Sequence, residues 1–260
     1  MARAPSTPEG EFTLENRDGA ADFLLVCEHA SYHIPEAYDD LGLSADARLA
    51  HIAWDPGALG LARGLAQRLD AALMAAGVSR LVYDLNRPPL AASAMPAKSE
   101  VYDVPGNAAI LPEERLARTQ SYYLPFHAAL HHEIARRIAL GRPPVIVTVH
   151  SFTPVYFGQK RGVELGVIHD ADPRLAVQIV AEAQTQSDLK TELNQPYSAA
   201  DGVTHMLRLQ ATPYGLLNVM LEVRNDMIAT KAAQNAIADI LAPILRAALE
   251  ALQTGRHPKA

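Results

Sequence analysis

The alternation of short apolar runs with longer helical patterns is the feature that most restricts how this 260-residue chain can fold. Leu59, Ala62, Leu65, Leu69 and Leu73 recur at spacings of three and four, which predicts a helix starting near Pro56. Alternation of this kind predicts an α/β fold with a mixed, largely parallel sheet sandwiched between helices. The runs that predict its strands are "FLLVCEH", "RLVYDLN", "PVIVTVHS", "VELGVIH" and "LNVMLEVRN".

The same patterns predict one domain over residues 21–254, because the chain is short for two independent domains of ordinary size. Residues 112–140 form a second predicted helical region. A third helix near the C-terminus contains Pro243, which should kink or split it. Residues 1–20 and the tail "TGRHPKA" are polar, and we expect a flexible leader and a loosely ordered tail.

Charge and composition exclude several classes of partner. The formal net charge of −6 offers no electrostatic reason to bind nucleic acid or an anionic membrane. The leader lacks the apolar segment of a signal peptide, and no apolar run is long enough to span a bilayer, so we expect a cytoplasmic protein. A single cysteine cannot form an intramolecular disulfide, and any metal site must therefore use His, Asp and Glu.

Three predicted strands end in a polar residue that core packing does not require. They are His29, His150 and Glu222. Ligands of open α/β sheets bind beyond the carboxyl ends of parallel strands, so these side chains can converge there. Imidazole and carboxylate are good zinc ligands, and the set indicates a metal site. The simpler interpretation is that each histidine only hydrogen-bonds a neighbouring loop.

A third protein ligand could come from Asp55 or Glu28. Asp55 precedes Pro56 at a predicted helix start, where it could also act as an N-cap. Glu28 adjoins His29, and consecutive strand residues point to opposite faces, so both could share one metal only if the strand ends between them. Asp55 is the favoured ligand and Glu28 the alternative.

Further polar residues predict a substrate pocket that binds carboxylate. Asn86 and Arg87 end the second predicted strand, and Arg224 lies beside Glu222. An arginine fork binds carboxylate in bidentate fashion, although either arginine could instead pair with the nearby Asp84 or Asp226. Two irregular segments, 87–107 and 193–205, are candidate pocket walls. The other candidate substrate-binding residues are Asn194, Tyr197, His127 and Ser151.

With these residues in view, the chain resembles the N-formylglutamate amidohydrolase family, in a branch of predicted members. The resemblance extends over about residues 22–250 and departs from the characterised members, which read Pro-His-Ser-Gly at "EHAS" and Asp-Cys-His-Ser at "TVHS". The ordered motifs that carry it are "CEHASYHIP", "WDPGA", "RLVYDLNRPP", "YYLPFH", "VHSFTP", "NQPYS" and "EVRND".

The resemblance implies a zinc carboxypeptidase-like fold of the phosphorylase/hydrolase type and one Zn²⁺ per chain. It assigns His29, Asp55 and His150 as ligands, Glu222 as the catalytic base, and Arg87 as the residue that holds substrate carboxylate or stabilises the oxyanion.

The implied reaction is hydrolysis of an N-acyl amino acid, with N-formyl-L-glutamate giving formate and L-glutamate as in histidine degradation. The alternatives are a non-catalytic binding protein for an acidic metabolite, or a related zinc carboxypeptidase or peptidoglycan amidase. We expect a monomer or homodimer whose partner is a small N-acyl amino acid.

Overall fold

A seven-stranded mixed sheet with helices on both faces forms the centre of the computed structural model, which describes residues 11–255. The strands are β1 (Phe12–Glu15), β2 (Phe23–Cys27), β3 (Ala72–Ala76), β4 (Lys98–Ser99), β5 (Tyr102–Asp103), β6 (Val145–Phe152), β7 (Val155–Tyr156), β8 (Gln159–Lys160), β9 (Leu165–Ile168), β10 (Thr191–Leu193) and β11 (Asn218–Arg224). The helices are α1 (Ala45–Leu49), α2 (Ala58–Leu69), α3 (Pro112–Arg118), α4 (Leu124–Ala139), α5 (Arg174–Gln186), α6 (His205–Gln210) and α7 (Lys231–Gln253).

The order of strands in the main sheet is β1-β3-β2-β6-β11-β9-β10. The four central strands, from β3 to β11, are mutually parallel. β1 runs antiparallel to β3, and β9 runs antiparallel to β11. The predicted mixed, largely parallel α/β sheet is therefore confirmed. β4–β5 and β7–β8 form two separate small hairpins.

The second predicted strand was placed in the wrong segment. Residues 80–86 carry buried apolar side chains, but their backbone forms turns, with Val82 N–H donating to Ser79 O and Arg87 N–H to Asp84 O. The second parallel strand is instead Ala72–Ala76. The helical spacing had assigned its Leu73 to the preceding helix. Helix α2 ends at Leu69, where Asp70 adopts a left-handed φ of 56°. In a short apolar run, periodicity alone cannot distinguish a buried strand from a helix.

Residues 11–20 are more ordered than a flexible leader. Phe12–Glu15 form β1, which pairs with β3 from Phe12↔Ala76 to Glu15↔Leu73. Edge pairing of backbone groups explains this order in a polar segment, because the hydrogen bonds do not depend on the side chains. The rest of the predicted leader, residues 1–10, and most of the predicted tail, residues 256–260, lie outside the described residues.

The predicted helical region at 112–140 is confirmed as α3 and α4, joined by a π-helical turn over Thr119–Tyr123. Pro243 does not split α7, which continues through it from Lys231 to Gln253. Residues on both sides of this proline, including Leu241 and Leu245, pack into the same core and hold the two halves together. Within residues 11–255 no helix has both the length and the apolar character needed to cross a bilayer.

Alternation along the strands divides the interior into two cores. Leu25 and Cys27 of β2 face the core under α2, α5 and α7, whereas Leu24 and Val26 face the core under α4 and α6. Successive strand side chains point to opposite faces, so the same alternation continues beyond the last apolar residue of each strand. The strand ends therefore decide which polar groups share a face.

Cys27 provides a test of this packing. Its side chain is fully buried, and burial raises the pKa of its thiol well above the ordinary value. Because thiol reagents attack an accessible thiolate, we expect no reaction with Ellman's reagent in the native protein and one equivalent after unfolding. Rapid stoichiometric reaction of the native protein would contradict this placement.

Candidate metal centre and active site

Three donor atoms converge near the carboxyl ends of β2 and β6. Asp55 Oδ2 lies 2.8 Å from His150 Nδ1 and 3.3 Å from His29 Nδ1, and the two imidazole nitrogens are 3.2 Å apart. All three side chains are buried. These are the donors of one cluster that could hold a metal ion among the described residues.

The backbone brings the three residues together from separate segments. His150 lies within β6, and His29 follows the end of β2 by two residues. Asp55 N–H donates to the carbonyl of His29 at 3.0 Å, which fixes the loop before α2 against the end of β2. Asp55 does not cap α2, because that helix begins at Ala58 after Gly57. Its carboxylate is turned toward the histidines instead.

The spacing of these donors fits a zinc ion. Zinc bonds of about 2.0–2.1 Å in a tetrahedral arrangement separate neighbouring ligand atoms by about 3.4 Å. The observed separations of 2.8–3.3 Å are close to that value and need only a small expansion. Two imidazoles and a carboxylate are a common catalytic zinc set, which leaves a fourth position for water or substrate.

A second carboxylate stands behind each histidine. His29 Nε2 lies 2.8 Å from Asp84 Oδ1, and Glu28 Oε2 lies 3.2 Å from His150 Nε2, without hydrogen-bond alignment in the latter case. Carboxylates in this position orient metal-binding imidazoles and increase their basicity. Glu28 therefore lies behind His150, while Asp55 supplies the third donor of the cluster that could hold a metal ion.

Strand register explains the placement of Glu28. Val26 of β2 pairs with Thr148 of β6, so two positions further along Glu28 and His150 are neighbours on the same face. β2 ends at Cys27, and the chain turns after it, which lets His29 approach the same centre from the next position.

Arg80 links the two aspartates of the centre. Its Nη1 donates to Asp55 Oδ1 at 3.3 Å, and its Nη2 donates to Asp84 Oδ2 at 2.7 Å. Burial opposes ionisation of Asp55, but His29 and His150 outweigh it and hold the pKa of Asp55 below its ordinary value. Burial likewise opposes ionisation of Asp84, but Arg80 and His29 lower its pKa well below the ordinary value. Both aspartates are thus carboxylates at neutral pH.

Glu222 lies next to this centre in the neighbouring strand. It pairs in register with His150, so the two side chains stand side by side on one face. Glu222 is 95% buried, and its Oε2 has no hydrogen-bond partner among the described residues. Burial raises the pKa of Glu222 to about 7, and Asp55 adds to the increase. A carboxylate with a pKa in this range can both accept and return a proton near neutral pH.

A cavity of about 200 Å³ opens over the three donors and Glu222. Both irregular segments predicted as pocket walls contribute to it, the first through Arg87 and Glu100, the second through Tyr197. His51 Nε2 lies 2.6 Å from Glu100 Oε2 within the lining. The cavity is the size of one small molecule rather than a polymer strand.

Comparison with known proteins agrees with these observations. The family model described as FGase, N-formylglutamate amidohydrolase, matches residues 21–229. The chain belongs to this family.

Two solved structures share its fold. The gene product Atu2144 from Agrobacterium tumefaciens is 52% identical, covers 94% of this chain and 96% of its own, and superposes with a TM-score of 0.92. The N-formylglutamate amidohydrolase from Ralstonia eutropha JMP134 is 17% identical, covers 94% of this chain and 99% of its own, and has a TM-score of 0.68. At that identity the second likeness shows the fold alone. No curated protein matches the sequence significantly.

Several predicted substrate-binding residues of this family member line the cavity, and others do not. Those in the lining are Asn86, Arg87, Tyr197 and Ser151. Three others bind protein groups elsewhere. His127 Nε2 donates to the carbonyl of Leu85 at 2.9 Å, and Asn194 Oδ1 accepts from the backbone N–H of His169 at 3.2 Å.

Arg224 is the third residue outside the lining. Its Nε donates to Asp226 Oδ1 at 2.8 Å, and its Nη2 lies 3.6 Å from Glu164 Oε1. The alternative of an internal ion pair with Asp226 is therefore correct for Arg224. Met220 and Glu222 of β11 line the cavity, whereas Arg224, the last residue of the strand, is held outside it by these two acidic partners.

The sequence patterns did not identify four residues of the site, which are Arg80, Asp84, His51 and Glu100. Arg80 and Asp84 lay inside a predicted strand, and Asp84 was considered only as a partner of Arg87. The available signal was a pair of opposite charges at i and i+4 within the apolar run "RLVYD", which hydrophobic burial does not explain. Nothing in sequence relates His51 to Glu100.

The contact of Asp84 with His29 yields a prediction. Replacing Asp84 with Asn removes the charge that orients His29 and should weaken binding of a divalent cation by about 10–100-fold. Chelator competition would measure the dissociation constant, with Asp226→Asn at an exposed ion pair as the control. Equal cation affinity in Asp84→Asn and the control would contradict the orienting role.

Proposed function

We propose that this chain is a metal-dependent hydrolase of the amide bond of a small N-acyl amino acid, with zinc as the ion and N-formyl-L-glutamate as the first candidate substrate. One observation carries the proposal. The buried donors of His29, Asp55 and His150 share a small cavity with Glu222, whose carboxyl oxygen Oε2 has no partner among residues 11–255.

The residues of the centre fit a divalent cation. Their donor separations, their buried carboxylate and the carboxylates behind both imidazoles are the features that zinc sites combine. When bound, the ion would supply Lewis-acid polarisation of the scissile carbonyl and would favour ionisation of the attacking water.

Glu222 is the general base of the proposed reaction. Its carboxylate accepts a proton from the attacking water as the new C–O bond forms at the acyl carbon. The same proton then passes to the nitrogen of the leaving amino acid as the C–N bond breaks. For N-formyl-L-glutamate the products are formate and L-glutamate, and Glu222 ends the cycle in its starting state.

Arg87 holds a carboxylate of the substrate. Its Nη1 donates to the carbonyls of Asn86 at 2.9 Å and Gly202 at 3.0 Å, which fixes the guanidinium at the cavity wall. Within the described part of the chain no carboxylate forms an ion pair with Arg87. Its remaining N–H groups are free to bind a carboxylate. Arg80 differs, because Asp55 and Asp84 already bind it.

Metal content and turnover test the proposal together. We expect the purified protein to contain about one zinc per chain, and chelation should abolish formate release from N-formyl-L-glutamate until zinc is restored. Elemental analysis and a formate assay would measure this, with N-formyl-L-glutamine and N-acetyl-L-glutamate in the same panel. These two compounds separate recognition of the side-chain carboxylate from recognition of the acyl group.

Two outcomes of that experiment would count against the proposal. A chain that binds no metal and hydrolyses no member of the panel with added zinc would contradict it. Thermal stabilisation by these compounds without product would favour the binding-protein alternative.

The substitution Glu222→Gln tests whether Glu222 is the general base. The amide cannot accept the proton, so kcat should fall by at least about 100-fold while zinc content stays at the wild-type value. Glu192→Gln, an exposed glutamate on β10, is the matched control. Wild-type turnover in Glu222→Gln would remove this residue from the mechanism.

A further inference from the structure

Three aromatic side chains of the cavity lining surround one arginine. The guanidinium carbon of Arg161 lies 4.4 Å from the ring centre of Tyr156, 4.9 Å from that of Tyr197 and 5.6 Å from that of Phe152. All three rings line the cavity, whereas Arg161 lies behind them. Among the residues that the structure describes, no carboxylate pairs with Arg161, so the rings provide its electrostatic partner.

Arg161 also makes one directed contact, which fixes the role of a hydroxyl group. Its Nη1 donates to Tyr197 Oη at 3.0 Å. Arginine has donors and no acceptor, so the tyrosine oxygen must accept, and its own proton points elsewhere. Within residues 11–255 no group accepts that proton. Burial raises the pKa of Tyr197, which keeps the hydroxyl protonated at neutral pH.

Tyr197 lines the same cavity as the reacting groups. Glu222, Arg80 and the three donor residues His29, Asp55 and His150 line this cavity as well. Three neighbouring polar side chains already donate to protein acceptors. Arg80 binds two aspartates, the Asn86 amide donates to Val203 O, and the Ser151 hydroxyl donates to Pro56 O.

Tyr197 therefore offers an unused neutral donor in the lining, and the proposed hydrolysis needs one. Negative charge develops on the acyl oxygen when water adds to the carbonyl, and a fixed donor aimed at that oxygen lowers the barrier. Arg87 already serves the carboxylate of the substrate. The acyl oxygen is the group that remains without a donor from the chain.

We propose that Tyr197 donates a hydrogen bond to the acyl oxygen of the substrate during hydrolysis, and that Arg161 is the positioning residue that directs this hydroxyl into the cavity. The inference rests on the proposed amide hydrolysis and adds a catalytic residue and its support. No proton is transferred from Tyr197, so the hydroxyl is unchanged at the end of the reaction.

A double-mutant cycle tests the proposal. The variants are Tyr197→Phe, Arg161→Met and the double substitution, assayed for kcat and KM on the best substrate of the panel. Tyr197→Phe should lower kcat by about 100-fold with little change in KM, as removal of an oxyanion donor does. Arg161→Met should lower kcat by about 10-fold or more. The double variant should be no slower than Tyr197→Phe, because Arg161 acts through the hydroxyl that is already absent.

Two further variants separate positioning from scaffolding. Arg161→Lys keeps a donor for the tyrosine oxygen and should recover part of the turnover lost in Arg161→Met. Arg174→Met, at an exposed arginine paired with Asp172, is the control and should have wild-type kinetics. Melting temperature and zinc content of every variant would show that the fold and the centre are intact.

The outcomes distinguish this inference from the proposed function. If the wild-type protein is active and the kcat losses of Tyr197→Phe and Arg161→Met multiply in the double variant, the positioning role of Arg161 is overturned. A Tyr197→Phe variant that changes KM alone, or neither constant, would overturn the catalytic role. A wild-type protein inactive on the whole panel would overturn the proposed function and this inference with it.

Discussion

An excess of buried negative charge is the constraint on which the rest of the site depends. Four carboxyl groups lie within a small volume at the end of the sheet, and Arg80 is the one guanidinium that pairs with any of them among the described residues. Buried carboxylates are costly without a compensating charge. The acids are Glu28, Asp55, Asp84 and Glu222.

The imidazole of His150 shows the same demand for positive charge. Burial alone would lower the pKa of His150, but Glu28 and Asp55 outweigh it and raise that pKa well above its ordinary value. A proton on this imidazole and a metal cation at its Nδ1 would each compensate the negative charge of the neighbouring carboxylates. Each satisfies the carboxylates that neither Arg80 nor hydrogen bonding neutralises. A site of this charge is suited to a divalent ion for electrostatic reasons that hold independently of the family to which the chain belongs.

Strand periodicity made part of this site predictable from sequence. His29, His150 and Glu222 follow apolar runs whose carboxyl ends meet at one edge, and that relation depends only on parallel pairing. Arg80 and Glu100 could not be placed in this way, because loops of irregular backbone bring them in. Leu73 shows the corresponding limit for the fold. Its spacing continues a helical stripe, but the left-handed turn at Asp70 ends the helix and starts a strand.

The sequence resemblance implies that Glu28 replaces a proline of the characterised family members. A proline offers no carboxylate to His150, whereas Glu28 lies 3.2 Å from its Nε2 and outside the cavity lining. Each histidine of the centre thus has its own supporting acid, Asp84 for His29 and Glu28 for His150. An added carboxylate behind a metal-binding imidazole strengthens its basicity and so acts on the affinity of the centre for a cation. In the proposed function Glu28 therefore acts on the metal centre rather than on substrate contact, and substrate selection is assigned to Arg87 and the two loops that line the cavity.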